Sequence, residues 1–173
     1  MKKVYITSEQ KEELNNIYAE YLNNPLIMEM KKIPMHRGSN CYLHSFKVAK
    51  RTLNKAIEHP NLDYKNLLIA SILHDYYLYD WRKNRKLKKR HGRNHPGIAI
   101  NNAKRDFNIS DEVADMIRTH MWPLTPHDFP KSFEAKLLNI IDDEIATVEF
   151  LSSKKHKKKK EKQYLSRIAT LFE

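Results

Sequence analysis

Between Tyr64 and Tyr76 the chain is apolar at almost every position, with Leu67, Leu68, Ile69, Ala70, Ile72 and Leu73 nearly continuous, and the run carries His74 and Asp75 at its end. A helix that is apolar on every side belongs at the centre of a bundle. Two polar groups placed side by side at its end are costly to bury without partners. The segment therefore constrains the fold class and also marks where chemistry is to be sought.

The rest of the chain supplies helices to surround it. From Ser8 to Leu22 the apolar positions Leu14, Ile17, Tyr18, Tyr21 and Leu22 recur at three and four, and Ser8, with Glu12 and Glu13 after it, suits a helix N-terminus. Pro25 and the Ile33-Pro34 step interrupt the pattern. A second helix is expected from about Cys41 to Glu58, with Leu43, Phe46, Val48, Ala49, Leu53 and Ile57 inward and His59-Pro60 closing it. Pro96 reads as a first-turn residue of a helix that ends near Phe107. Ser110 caps Asp111–His120, and Pro123 and Pro126 impose a loop. Ala135–Leu151 reads as the last core helix, with Leu137, Leu138, Ile140, Ile141, Ile145 and Val148 inward. Tyr164, Leu165, Ile168 and Phe172 recur at helical spacing, so the tail is expected to dock as one more helix. The chain holds only three glycines, which argues against Gly-rich phosphate loops and a turn-dense β-fold. The expectation is one all-α domain over residues 1–173: a core at about 36–150, an N-terminal helix over 8–23 and a basic C-terminal helix over 154–172.

The net charge of +11 is unevenly placed. Residues 82–93 (RKNRKLKKRHGR) carry eight basic side chains and no acid, and residues 154–162 (KKHKKKKEK) carry seven lysines and Glu161. The remainder is close to neutral, so the pattern is a globule with two basic patches, the footprint of an anionic partner such as a phosphorylated metabolite or nucleic acid. No stretch approaches the roughly 20 apolar residues of a membrane span. The amino terminus, MKKVYITSEQ, has no apolar run behind its lysines, and the single Cys41 forms no internal disulfide, which together fit a cytoplasmic protein.

Polar residues with metal-ligand chemistry recur along these helices: His44, the His74-Asp75 pair, His95, His120, and Asp142 within Ile140-Ile141-Asp142-Asp143. Imidazole and carboxylate together suit Mn, Fe, Ni, Co or Zn, with Mg less suited to several histidines. Facing helices of a bundle are a known way to bring such ligands together. The order resembles the HD superfamily of metal-dependent phosphohydrolases over about residues 36–150. Cys41-Tyr-Leu-His-Ser-Phe-Lys-Val-Ala looks like that family's first-histidine helix, and Ala70-Ser-Ile-Leu-His-Asp like its core helix. His95-Pro-Gly-Ile-Ala and Ile117-Arg-Thr-His120 look like the further histidine motifs of members with two metals.

The resemblance implies that His44, His74, Asp75 and Asp142 hold a first metal, and that Asp75, His95 and His120 hold a second, with Asp75 bridging. Two such cations lower the pKa of a bound water toward neutrality and neutralise a phosphoryl group's developing charge. Many family members place Lys or Glu three positions after the paired aspartate, where this chain has Leu78. Asp143 is read as a solvated neighbour of Asp142.

Around these ligands, Arg82, Arg85 and Lys86 are candidates to clamp phosphate oxygens. His91 is a candidate for substrate contact or for completing the second site, and a surface-loop residue is the plainer reading. His36 resembles a pocket-rim histidine. The run Tyr76-Tyr77-Leu78-Tyr79-Asp80-Trp81 reads as core packing or as an aromatic pocket wall. His59 and Cys41 read as structural, and His127 as a surface residue of a loop that could cover the site. The leading expectation is hydrolysis of a phosphate mono- or diester in a nucleotide or small phosphorylated metabolite. The alternatives are a di-iron oxygenase on the same ligand set, or a nucleic-acid binder with a vestigial metal site.

Overall fold

The computed structural model describes residues 3–35, 39–151, 163 and 165–172. Its elements are α1 (Ser8–Asn23), α2 (Pro25–Met28), a 3₁₀ turn at Glu29–Lys32, α3 (Cys41–Ala56), α4 (Tyr64–Leu73), a 3₁₀ turn at Trp81–Lys83, α5 (Arg85–Phe107), α6 (Asp111–Thr119) and α7 (Phe133–Leu151). No strand occurs among the described residues, so the fold is all-α as the sequence predicts. No helix among them is long and apolar enough to cross a membrane.

The apolar helix α4 is the axis of the bundle. It packs against α1, α3, α5, α6 and α7. Leu67, Leu68, Ile72 and Leu73 are completely buried, which is what an all-round apolar helix requires. Asp63 starts α4 by accepting from the Asn66 N–H, and the helix ends at Leu73, so that His74 caps it. α3 lies along α4 and α7, with Phe46 wedged between the rings of Tyr18 and Tyr42 at centroid distances of 5.2 and 4.8 Å. The tail packs against α1 and α3, with Leu165 exposed and Leu171 turned inward. Ile168 and Leu171 are buried, Tyr18 donates to the Ile168 carbonyl, and Asn54 donates to the Leu171 carbonyl. Residues 154–162 and Tyr164 lie outside the described residues.

Three local expectations need correction. The cap of α1 is Thr7, one residue before Ser8, in a reciprocal capping box with Gln10 that satisfies two orphan donors. Pro96 sits inside α5 rather than at its start. Asn84 caps the helix twelve residues earlier, and the Arg, Lys and Leu residues that follow are good helix formers, so residues 85–93 of the basic run are helical. The third concerns α7. Ile140 and Val148 face solvent, whereas Asn139, Asp142 and Glu149 are buried beside Leu138 and Ile141. The inward face of α7 is mixed: Ala135, Leu138 and Ile141 join the hydrocarbon core, while Asn139, Asp142 and Glu149 look onto a polar site.

The start of α5 is electrostatically unfavourable in itself. Its first turn holds no acid, and cations near a helix N-terminus oppose the helix dipole. Like charges three or four apart, such as Arg85–Lys89 and Lys86–Arg90, cost roughly 0.2–0.5 kcal/mol each.

The two faces of α7 and the Phe46 wedge are separable by stability. Phe46→Ala is expected to lower the free energy of unfolding by about 3–5 kcal/mol, because the ring leaves a cavity among fixed neighbours. Ile140→Ser on the exposed face is expected to change it by less than about 0.5 kcal/mol. Urea denaturation followed by circular dichroism measures both.

Candidate metal centre

Five segments converge on one point. α4 delivers His74 at its C-cap and Asp75 immediately after it. α3 delivers His44 from its first turn, α7 delivers Asp142 from its middle, α5 delivers His95, and α6 delivers His120 at its C-cap. All six side chains are buried. They fall into two groups whose ligand atoms lie within 4.8 Å of one another, His44–His74–Asp142 and Asp75–His95–His120, and each group could hold a metal ion.

Asp75 stands between the two. Its Oδ2 lies 3.6 Å from His74 Nε2 and 3.9 Å from His44 Nε2, while its Oδ1 lies 3.2 Å from His95 Nε2 and 3.9 Å from His120 Nε2. One carboxylate thus turns an oxygen to each group. Asp142 Oδ1 is 2.8 Å from His44 Nε2 and 3.4 Å from His74 Nε2.

The imidazoles are aimed by their other nitrogens. Nδ1–H of His74 donates to the Ser71 carbonyl at 2.8 Å, that of His95 to the His91 carbonyl at 3.0 Å, and that of His120 to the Ile117 carbonyl at 2.7 Å. His44 Nδ1 donates to Glu149 Oε2 at 3.1 Å. A carbonyl or carboxylate on Nδ1 fixes the tautomer and turns Nε2 to the centre, as ligating histidines require. Two features of the centre are ones that a bound cation would satisfy. His74 Nε2 is buried without a hydrogen-bond partner. His95 Nε2 and His120 Nε2 face each other at 2.9 Å, although both Nδ1 atoms already carry protons, so a proton or a cation must lie between two lone pairs.

The electrostatics are those of a tightly packed ion cluster. Burial lowers the His44 pKa, but its hydrogen bonds to Asp142 and Glu149 outweigh that and push it up to about 10. Burial likewise opposes ionisation of Asp75, yet His74 and His95 hold its carboxyl below the usual range. Asp142 is held well below that range by His74 and His44, again against burial. Burial, with His95 and His74 close by, pulls His120 down to about 3, leaving it neutral with a free lone pair.

A cavity of about 300 Å³ opens onto the centre, lined by His44, Asp75, His95, His120 and Asp142 at its floor and by Trp81, Lys88, His91 and Met121 on its walls. His91 also lines the cavity, stacked on Trp81 at 5.0 Å and close to parallel. Its pKa is lowered to about 4 by burial and by His95. Asp143 is exposed yet belongs to this lining, and burial together with Asp142 raises its pKa. Arg82, Arg85 and Lys86 do not line the cavity. They are exposed, and Arg82 is tied to the Met35 carbonyl and lies over the Trp81 ring. Tyr76 and Tyr77 are core residues, Cys41 is buried and donates to the Asp75 carbonyl, His59 packs on Phe133, and His127 is exposed. His36 lies outside the described residues.

Sequence reasoning missed Glu149, Lys88 and Asn139. Glu149 accepts from His44, Ser39 and Lys47, and against burial His44 and Lys47 lower its pKa to about 2. Its signal was its place seven residues after Asp142, on the same face of α7. Asn139 donates to the carbonyls of His120 and Trp122 and so pins the segment that carries His120. Lys88 was passed over among its basic neighbours. Compared with protein-family models, curated proteins and solved structures, the chain matches none.

Glu149→Gln removes the charge that polarises His44 and the ion pair to Lys47 while keeping a side chain of the same size. The expected result is a transition-metal affinity about 10–100-fold weaker by chelator competition, with the helical circular dichroism unchanged.

Proposed function

We propose that this chain is a metal-dependent phosphohydrolase of the HD type. His44, His74 and Asp142 would hold one divalent cation, His95 and His120 a second, and Asp75 would be shared between them. The observation that carries this reading is Asp75, whose two oxygens face two separate buried groups of nitrogen ligands. Six ligands of imidazole and carboxylate type match manganese, iron, cobalt, nickel or zinc. A cation in each group would take up the lone pairs of His74, His95 and His120 and displace the proton that His44 holds between Asp142 and Glu149. Bound there, such a pair would ionise a water near neutral pH and supply positive charge for phosphoryl oxygens.

The protein's own groups do the remainder. The floor of the cavity presents the cluster to a phosphate ester, and Met35, Trp81, Met121 and Ala146 shield the approach from bulk water. Lys88 reaches the cavity from α5 and supplies the cation that Leu78 cannot. Leu78 takes a left-handed backbone conformation (φ 54°), which closes the turn after the His-Asp pair, and its side chain packs against the core. In the reaction, water oxygen bonds to phosphorus, the ester P–O bond breaks, and the alcohol leaves with a proton. Asp143 lines the same cavity beside Asp142 and would be the carboxyl through which that proton is relayed.

Elemental analysis of wild type beside Asp75→Asn, with hydrolysis of bis(p-nitrophenyl) phosphate and p-nitrophenyl phosphate, tests the reading. Wild type is expected to hold one or two equivalents of transition metal and to hydrolyse at least one ester. Asp75→Asn is expected to lose most of the metal and about 100-fold or more of the rate. A wild type that binds no metal after reconstitution overturns the proposal. A bound iron pair with O2 uptake and no ester hydrolysis would move it to the oxygenase alternative.

A further inference from the structure

Among the described residues, His91 is the one cavity-lining histidine that the two ligand groups leave out. Three aromatic residues at alternate positions after the His-Asp pair converge on it. Trp81 lies nearly parallel to its imidazole at a centroid distance of 5.0 Å, and Tyr77 and Tyr79 meet it at steep angles at 4.7 and 5.7 Å. His95 stacks on it at 4.6 Å, tilted by 28°. Four rings around one imidazole fix its plane. What they leave uncovered lines the cavity, on the face of α5 that also carries Lys88 and His95.

The hydrogen bonding of His91 differs from that of the ligand histidines. His74, His95 and His120 each set Nδ1 on a backbone carbonyl, which only accepts, and so present a lone pair at Nε2. His91 sets Nδ1 at 2.9 Å from the Tyr79 hydroxyl, which can donate, and Tyr79 makes no other hydrogen bond among the described residues. Donation from Tyr79 leaves the imidazole proton on Nε2. No group among the described residues bonds that nitrogen. A lone pair there would suit a further metal ligand, whereas an N–H suits an oxyanion. Along the axis of α5, His91 stands about 6 Å from His95 and about 4.5 Å from Lys88. Outward from the centre, this face therefore offers a metal ligand, then a neutral N–H, then an ammonium.

We propose that His91 is a substrate-binding residue rather than a metal ligand, donating from Nε2–H to a non-bridging phosphoryl oxygen of the ester, and that Tyr79 is the positioning residue that fixes its tautomer. The proposal rests on the hydrolase reading, which supplies the phosphoryl group at the cavity floor.

The tautomer is read first, from long-range proton–nitrogen NMR correlations of the full-length chain in excess chelator, with the His91 signals identified by their loss in H91Q. Wild type is expected to carry the proton on Nε2, and Y79F to shift it toward Nδ1. Calorimetry then follows inorganic phosphate titrated into protein loaded with Zn²⁺. H91F keeps a flat ring in the stack, and it is expected to bind phosphate about tenfold or more weakly than wild type at equal zinc content. H91Q carries an amide N–H close to the place of Nε2–H and is expected to stay within about threefold of wild type. In wild type, phosphate is expected to shift the Nε2–H signal of His91, which a residue that only packs would not show. A wild-type proton on Nδ1, or phosphate bound equally well by H91F, overturns the role of His91 and leaves the hydrolase reading standing. Zinc lost from H91F and H91Q alike also overturns it, by making His91 a support for His95. Zinc-loaded wild type that binds no phosphate removes the hydrolase reading and this proposal with it.

Discussion

Two carboxylates, Asp75 and Asp142, are buried in the middle of this bundle, and the fold around them exists in the form it does because they need partners. An unpaired buried carboxylate is too costly to keep ionised. Here each meets imidazole on more than one side, and the imidazoles come from four different helices. The cluster therefore fixes the relative positions of α3, α4, α5, α6 and α7. The buried Asn139, Asp142 and Glu149 on the inner face of α7 follow from serving it.

The hydrogen bonds behind the cluster are as informative as the cluster itself. Three histidines spend Nδ1–H on backbone carbonyls at helix ends or within a helix, and the fourth spends it on Glu149. Helix ends have spare carbonyls, so a histidine at a C-cap finds an acceptor without any extra residue. His74 and His120 both use that economy. His44 sits at the opposite end of a helix, where N–H groups rather than carbonyls are spare, and so its acceptor has to be a side chain. That difference accounts for a buried glutamate with three donors around it.

Much of this was legible in the sequence. The all-round apolar helix ending in His74-Asp75 could only be central, and the six convergent residues could be named because each lay at a helix end or in an apolar run. What escaped has physical reasons. Proline favours a helix start, which is what Pro96 suggests in the sequence, but the Asn84 cap and the helix formers after it allow α5 to begin earlier. Hydrophobicity, the usual guide to a buried face, points Ile140 and Val148 inward. On α7 that guide fails where the buried neighbour is a cluster of charges. Lys88 differed from the basic residues beside it only by the direction in which the helix turns it, which no composition shows.

The central claim is that the six side chains form two adjoining cation sites with Asp75 between them. Anomalous diffraction from crystals grown with Mn²⁺, recorded above and below an absorption edge, tests it most directly. The account predicts two neighbouring peaks, one bounded by His44, His74 and Asp142 and the other by His95 and His120, each within bonding distance of Asp75. Manganese bound only at the surface, with no peak inside the cluster, would contradict it and leave the six residues as a buried hydrogen-bonded network.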